Sequence, residues 1–85
     1  METWEVLCVD KSAKMRIREE NKVYEGVRWL LKAVESDSEQ FLGFAWKDQF
    51  ISNDRLKKLN VAPVPGNVIT LYFDRSGAIC KVDVA

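Results

Sequence analysis

The side chains in this sequence able to do acid–base chemistry are carboxylates: Glu19 and Glu20, the Glu35, Asp37 and Glu39 run, and Asp74 with Asp83. The first two sets fall in polar stretches where charge is normally solvated, and Asp74 has a sufficient local task as the first residue of a turn. There is no histidine. Its absence removes the commonest general base, the Ser-His-Asp triad, the Cys-His dyad and most zinc sites. Gly26, Gly43, Gly66 and Gly77 stand alone, so no phosphate-cradling loop is present. No catalytic residue, metal or cofactor is expected.

What remains is a set of basic and aromatic side chains. Lys11, Lys14, Arg16 and Arg18 would project from one solvated strand face, with Arg28 and Lys32 continuing it on a neighbouring strand. A basic strand face beside exposed aromatics is how single-strand-binding barrels track a backbone and stack bases. Trp29, Trp46 or Tyr72 could supply the stacking surface; the plainer reading makes the tryptophans core. Three tryptophans, two tyrosines and four phenylalanines are more than so small a core needs. Exposed aromatics beside arginine also have the composition of a protein-binding hot spot.

Composition narrows the classes further. Thirteen basic and thirteen acidic residues cancel, so net charge lends no support to a nucleic-acid or membrane-surface partner. At 85 residues, 31% charged and 47% hydrophobic, the chain is one globular domain (residues 1–85) with an adequate core. Cys8 and Cys80 read as small buried hydrophobes, the alternative being a disulfide tying the first strand to the last. The first five residues lack the charged and apolar regions of a signal peptide, and no apolar run approaches a membrane span. A reduced, cytoplasmic protein is expected.

These side chains have to be positioned mainly by strands. Residues 4–9 alternate, with Trp4, Val6 and Cys8 on one face; Asp10-Lys11-Ser12 reads as a turn; residues 13–18 alternate again, with Ala13, Met15 and Ile17 inward. Residues 19–35 fit a strand with Val27, Trp29, Leu31 and Ala33 on one face, or a helix over 21–35. Gly26 and the clustered Val, Tyr and Trp favour the strand. A polar loop at 35–39 leads to a strand at 41–46, and Lys47-Asp48-Gln49 breaks the pattern before Phe50-Ile51. Residues 53–60 form a short helix capped by Ser52 or Asn53, with Asp54 in its first turn, Lys57 and Lys58 in its last, and Asn60 closing it. A final hairpin pairs 68–73 with 78–84 across Asp74-Arg75-Ser76-Gly77. With Tyr72 facing Cys80 and Thr70 facing Val82, its apolar face would end in Lys81 and Asp83.

The hairpin stretch, with Pro65-Gly66, Val68-Ile69-Thr70-Leu71-Tyr72-Phe73 and Gly77-Ala78-Ile79, resembles the C-terminal hairpin of small uncharacterised proteins on mobile elements such as phages, plasmids and integron cassettes. The likeness covers about a quarter of the chain and implies no function and no site residue.

The expected fold is mainly β: a small, partly closed barrel of five or six strands with one short helix, the alternative being an α+β layer with a helix at 21–35. The expected function is a non-enzymatic binding module with a protein–protein surface, self-pairing through the C-terminal strand giving a route to a homodimer. The alternative is single-stranded nucleic-acid binding. The candidate binding residues are Arg16, Arg18, Arg28, Trp29 and Tyr72.

Overall fold

The computed structural model describes residues 1–34 and 45–85. Its elements are β1 (Glu2–Ile17), β2 (Lys22–Ala33), β3 (Trp46–Ser52), α1 (Asn53–Leu59), β4 (Val68–Phe73) and β5 (Ile79–Val84). The five strands form one antiparallel sheet in the order β3-β2-β1-β4-β5. The mainly β fold with one short helix is therefore the observed one, and Lys22–Ala33, within the stretch of the alternative helix, is strand. The expected closure into a barrel is not made: β3 and β5 are the two edges of an open sheet. The expected loop at 35–39 and most of the expected strand at 41–46 lie outside the described residues.

Asp10-Lys11-Ser12 does not reverse the chain. β1 runs straight through it, pairing with β2 from Trp4–Ala33 to Ile17–Lys22, with irregularities between Val6 and Cys8 and between Asp10 and Ala13. The turn chemistry is nevertheless formed: Asp10 Oδ1 accepts from the Ser12 amide and from its hydroxyl, both at 3.0 Å. Those bonds stabilise an extra residue in the strand, a bulge, instead of a hairpin. The reversal comes later, at Asn21, which takes a left-handed φ of 49°.

Lys47-Asp48-Gln49 is likewise strand, continuous from Trp46 to Ser52 and paired with β2. Ser52 ends β3 and caps α1, its hydroxyl accepting from the Arg55 amide at 3.3 Å, while Asn60 closes the helix with φ 52° and ψ 46°. Gly26 pairs with Ser52 at the end of β3. A Cβ there would collide with the Ile51 carbonyl.

The final hairpin corrects its expected register and so removes the charge conflict. Phe73 faces Ile79 as expected, but Tyr72 faces Lys81 and Thr70 faces Asp83, because Cys80 is an extra residue between those pairs. A one-residue slip sends every later side chain to the opposite face. Val82 is thereby buried with Ile69, Leu71 and Ile79, and Lys81 and Asp83 are exposed. Neither cysteine is a core residue: both are exposed free thiols, and Cys80 Sγ donates to the Tyr72 carbonyl at 3.4 Å.

The core lies on one face of the sheet. Val6, Val27, Trp29, Leu31, Ile51, Ile69, Leu71, Ile79 and Val82 form it, with Leu56 and Leu59 of α1 and Val61 packed against them. α1 packs against β2, β3 and β5 and so covers this face in place of a closed barrel wall.

Candidate interaction surface

Strand alternation determines what the other face shows. With Val27, Trp29 and Leu31 of β2 in the core, Arg28, Leu30 and Lys32 point away from it. Register places Trp46 beside Lys32, Asp48 beside Leu30 and Phe50 beside Arg28, with Cys8 and Asp10 of β1 on the other side of Leu30 and Arg28. Arg28 Nη1 donates to Asp48 Oδ2 at 3.2 Å, and its guanidinium carbon lies 5.9 Å from the Phe50 ring centroid. Trp46 is 63% exposed, and Leu7 and Cys8 are exposed on β1 nearby. Trp46, Leu30 and Phe50 thus share this face with Lys32, Asp48 and Arg28, large apolar side chains interleaved with charges of both signs, a composition suited to protein contact.

The sequence-predicted residues separate. Trp29 is 1% exposed and fills the core, so it is corrected from stacking platform to packing residue. Arg28 joins the patch. Arg16, facing Val23, and Arg18, at the β1–β2 turn, are exposed at the far end of the hairpin. Tyr72 lies on β4, half-buried, with Lys81 Nζ 5.3 Å from its ring centroid. Sequence reading missed Leu30, Asp48 and Phe50. The pattern hides them, since each face of Trp46–Ile51 mixes polar and apolar side chains, Asp48 with Trp46 and Phe50 on one and Lys47 and Gln49 with Ile51 on the other.

The charged groups with displaced protonation are structural. The Lys47 ammonium, donating to Glu2 Oε1 at 2.7 Å, holds that carboxyl below its ordinary value of 4.5. The Trp4 indole donates to the same oxygen at 2.9 Å, and Lys47 Nζ lies 5.1 Å from the ring centroids of both Trp4 and Phe73. Asp74 is lowered by the Ser76 hydroxyl and by amides of Ala78 and Ser76, as its place in the turn requires. Asp10 is lowered by the Ser12 amide and hydroxyl. Glu20 accepts from the Tyr24 hydroxyl and raises it. An apolar cavity of about 260 Å³ between α1, β1 and β2 is walled by Val9, Val27, Trp29, Leu56 and Val61, with Lys11 as its charged residue and no carboxylate. Among the described residues no three of His, Cys, Asp and Glu are grouped to hold a metal, and no helix is long and apolar enough to cross a membrane.

The chain matches no protein-family model, no curated protein and no solved structure.

Proposed function

We propose that this protein is a non-enzymatic binding module whose partner is a protein docked on the sheet face formed by β2 and β3. The observation that carries the reading is Trp46, a large aromatic left 63% exposed on an edge strand opposite Lys32, on the face it shares with Leu30, Phe50 and Arg28. A tryptophan in that setting returns its exposure cost only when something covers it. Charge favours protein over nucleic acid. Arg28 is held by Asp48 and faces Asp10, Lys14 lies 4.0 Å from Glu25, and Arg18 is followed by two glutamates, so phosphate approaching Lys14, Arg18 or Arg28 would meet an acid.

Selection of displayed peptides against the protein tests this. Enriched binders should lose at least about tenfold in affinity with Trp46→Ala, the ordinary scale for an aromatic hot spot, and nothing with Lys57→Ala on α1. Binders indifferent to Trp46, or salt-sensitive oligonucleotide binding that quenches tryptophan, would refute it.

A further inference from the structure

β3 is an edge, and its backbone polarity is determined by one bond. The Ala33 amide donates to the Ala45 carbonyl at 2.8 Å, which makes Ala33–Ala45 a hydrogen-bonded pair. In an antiparallel ladder such pairs alternate, so Leu31–Lys47, Trp29–Gln49 and Val27–Ile51 are the next ones. The amides and carbonyls of Trp46, Asp48 and Phe50 therefore point away from β2, toward the open side of the sheet. Among the described residues no backbone group of the chain meets them. The one partner is a side chain: Gln49 Nε2 donates to the Phe50 carbonyl at 3.1 Å.

Beside that edge runs a groove of about 530 Å³. Phe50 and Ile51 form one wall, Phe73 and Ile79 the other, with Met15 and Ile17 also lining it. It is a seam beside the C-terminal end of β3, which contributes Gln49–Ser52, and its far side is Phe73, Gly77, Ala78 and Ile79 at the β4–β5 turn.

We propose that an extended peptide segment of a partner protein adds to β3 as a sixth strand, occupying this seam. The inference rests on the binding-module reading and specifies the partner's chemistry. An added strand alternates faces as β3 does. The side chains turned to the groove meet Phe73, Ile79 and Met15 and must be apolar. Those on the outer face stand opposite Trp46, Asp48 and Phe50, a pattern that calls for apolar, basic, apolar. A second copy of β3 brings no basic side chain to Asp48: with the two-fold axis at Asp48 the carboxylate faces its own image, and with the axis at Gln49 it faces Phe50. Gln49 gives up its bond to the Phe50 carbonyl, which the incoming amide replaces.

The test uses the whole protein and three capped nine-residue peptides that keep apolar residues on the groove side. The first carries Phe-Lys-Leu on the outer set, the second Phe-Glu-Leu, and the third is a scramble without alternation. The lysine peptide should bind at least about tenfold tighter than the glutamate peptide, because like charges directly opposite oppose pairing. Asp48→Lys should reverse that order. Amide exchange at Trp46, Asp48 and Phe50 should slow on binding. Equal affinity for the scramble, an unchanged order with Asp48→Lys, or no binding of any peptide overturns the proposal, as does concentration-dependent protection of the same amides in the protein alone. Binding that depends on Leu30 and Trp46 without protecting those amides overturns strand addition while leaving the outer-face reading in place.

Discussion

Lys47 leaves β3 on the core side, where its ammonium is shared by the Glu2 carboxylate and two aromatic rings. Because Glu2 is lowered in the folded chain, its contribution to stability is complete above the unfolded value near 4.5 and disappears as pH falls through the lower folded value. Lys47→Ala should therefore raise the Glu2 pKa toward 4.5 and destabilise the protein at neutral pH. The difference from wild type should shrink as the solution is acidified below that window. Carboxyl chemical shifts and denaturation midpoints against pH would show it, and a gap independent of pH would contradict it. Gly26 is the other residue with a sharp expectation. Gly26→Ala puts a methyl into the Ile51 carbonyl, so β3 must shift, at a cost of roughly 1–3 kcal/mol. Urea unfolding with no loss of midpoint would contradict the close approach. The sequence shows a glycine in a strand and nothing more, since the collision involves a carbonyl 25 residues away.

At the level of elements, local chemistry was legible and register was not. The helix from Ser52 to Asn60 announces both of its ends, and Ser52→Ala should cost about 1 kcal/mol by removing the cap bond to Arg55. A chemical denaturation midpoint equal to wild type would show that the cap contributes nothing. Asp74 and Gly77 likewise place the last turn without help from elsewhere, Gly77 taking a φ of 85°. Asp10 and Ser12 form the same kind of bond and yet make a bulge, because Ala13–Ile17 finds β2 as its partner instead of the preceding half of β1. The choice between turn and bulge is made by strands distant in sequence. Cys80 repeats the lesson: adding one residue to β5 puts Val82 inside and Lys81 and Asp83 outside. The signal was the conflict itself, two charges at the end of an apolar face, and a bulge is the least disruptive repair. Lys47-Asp48-Gln49 reads as a break in the sequence and is continuous strand, with Asp48 on its outward face, where Arg28 meets it.

Over the whole molecule, one sheet covered on one face by a helix of only seven residues leaves its other face and two edges to manage. Natural sheets blunt such edges with charge, bulges or a covering element. β5 carries the bulge and the charged Lys81 and Asp83, whereas the outward face of β3 offers Trp46 and Phe50 with Asp48 between them, its Lys47 turning inward to Glu2. The outer face of β2 and β3 and the seam beside β3 are thus continuous, and a partner strand in the seam would extend the patch centred on Leu30. Of the five residues nominated from sequence, Arg28 lies on this surface. Trp29 does not, and the alternation that sets it on one face with Val27, Leu31 and Ala33 already carries that signal.

Backbone hydrogen exchange of the protein with and without its selected peptide binders addresses the central claim most directly. Slowing should concentrate at residues 28–32 and 46–50 and vanish with Trp46→Ala. Protection centred instead on the hairpin end around Arg16 and Arg18, or on α1, would contradict the assignment of function to this face.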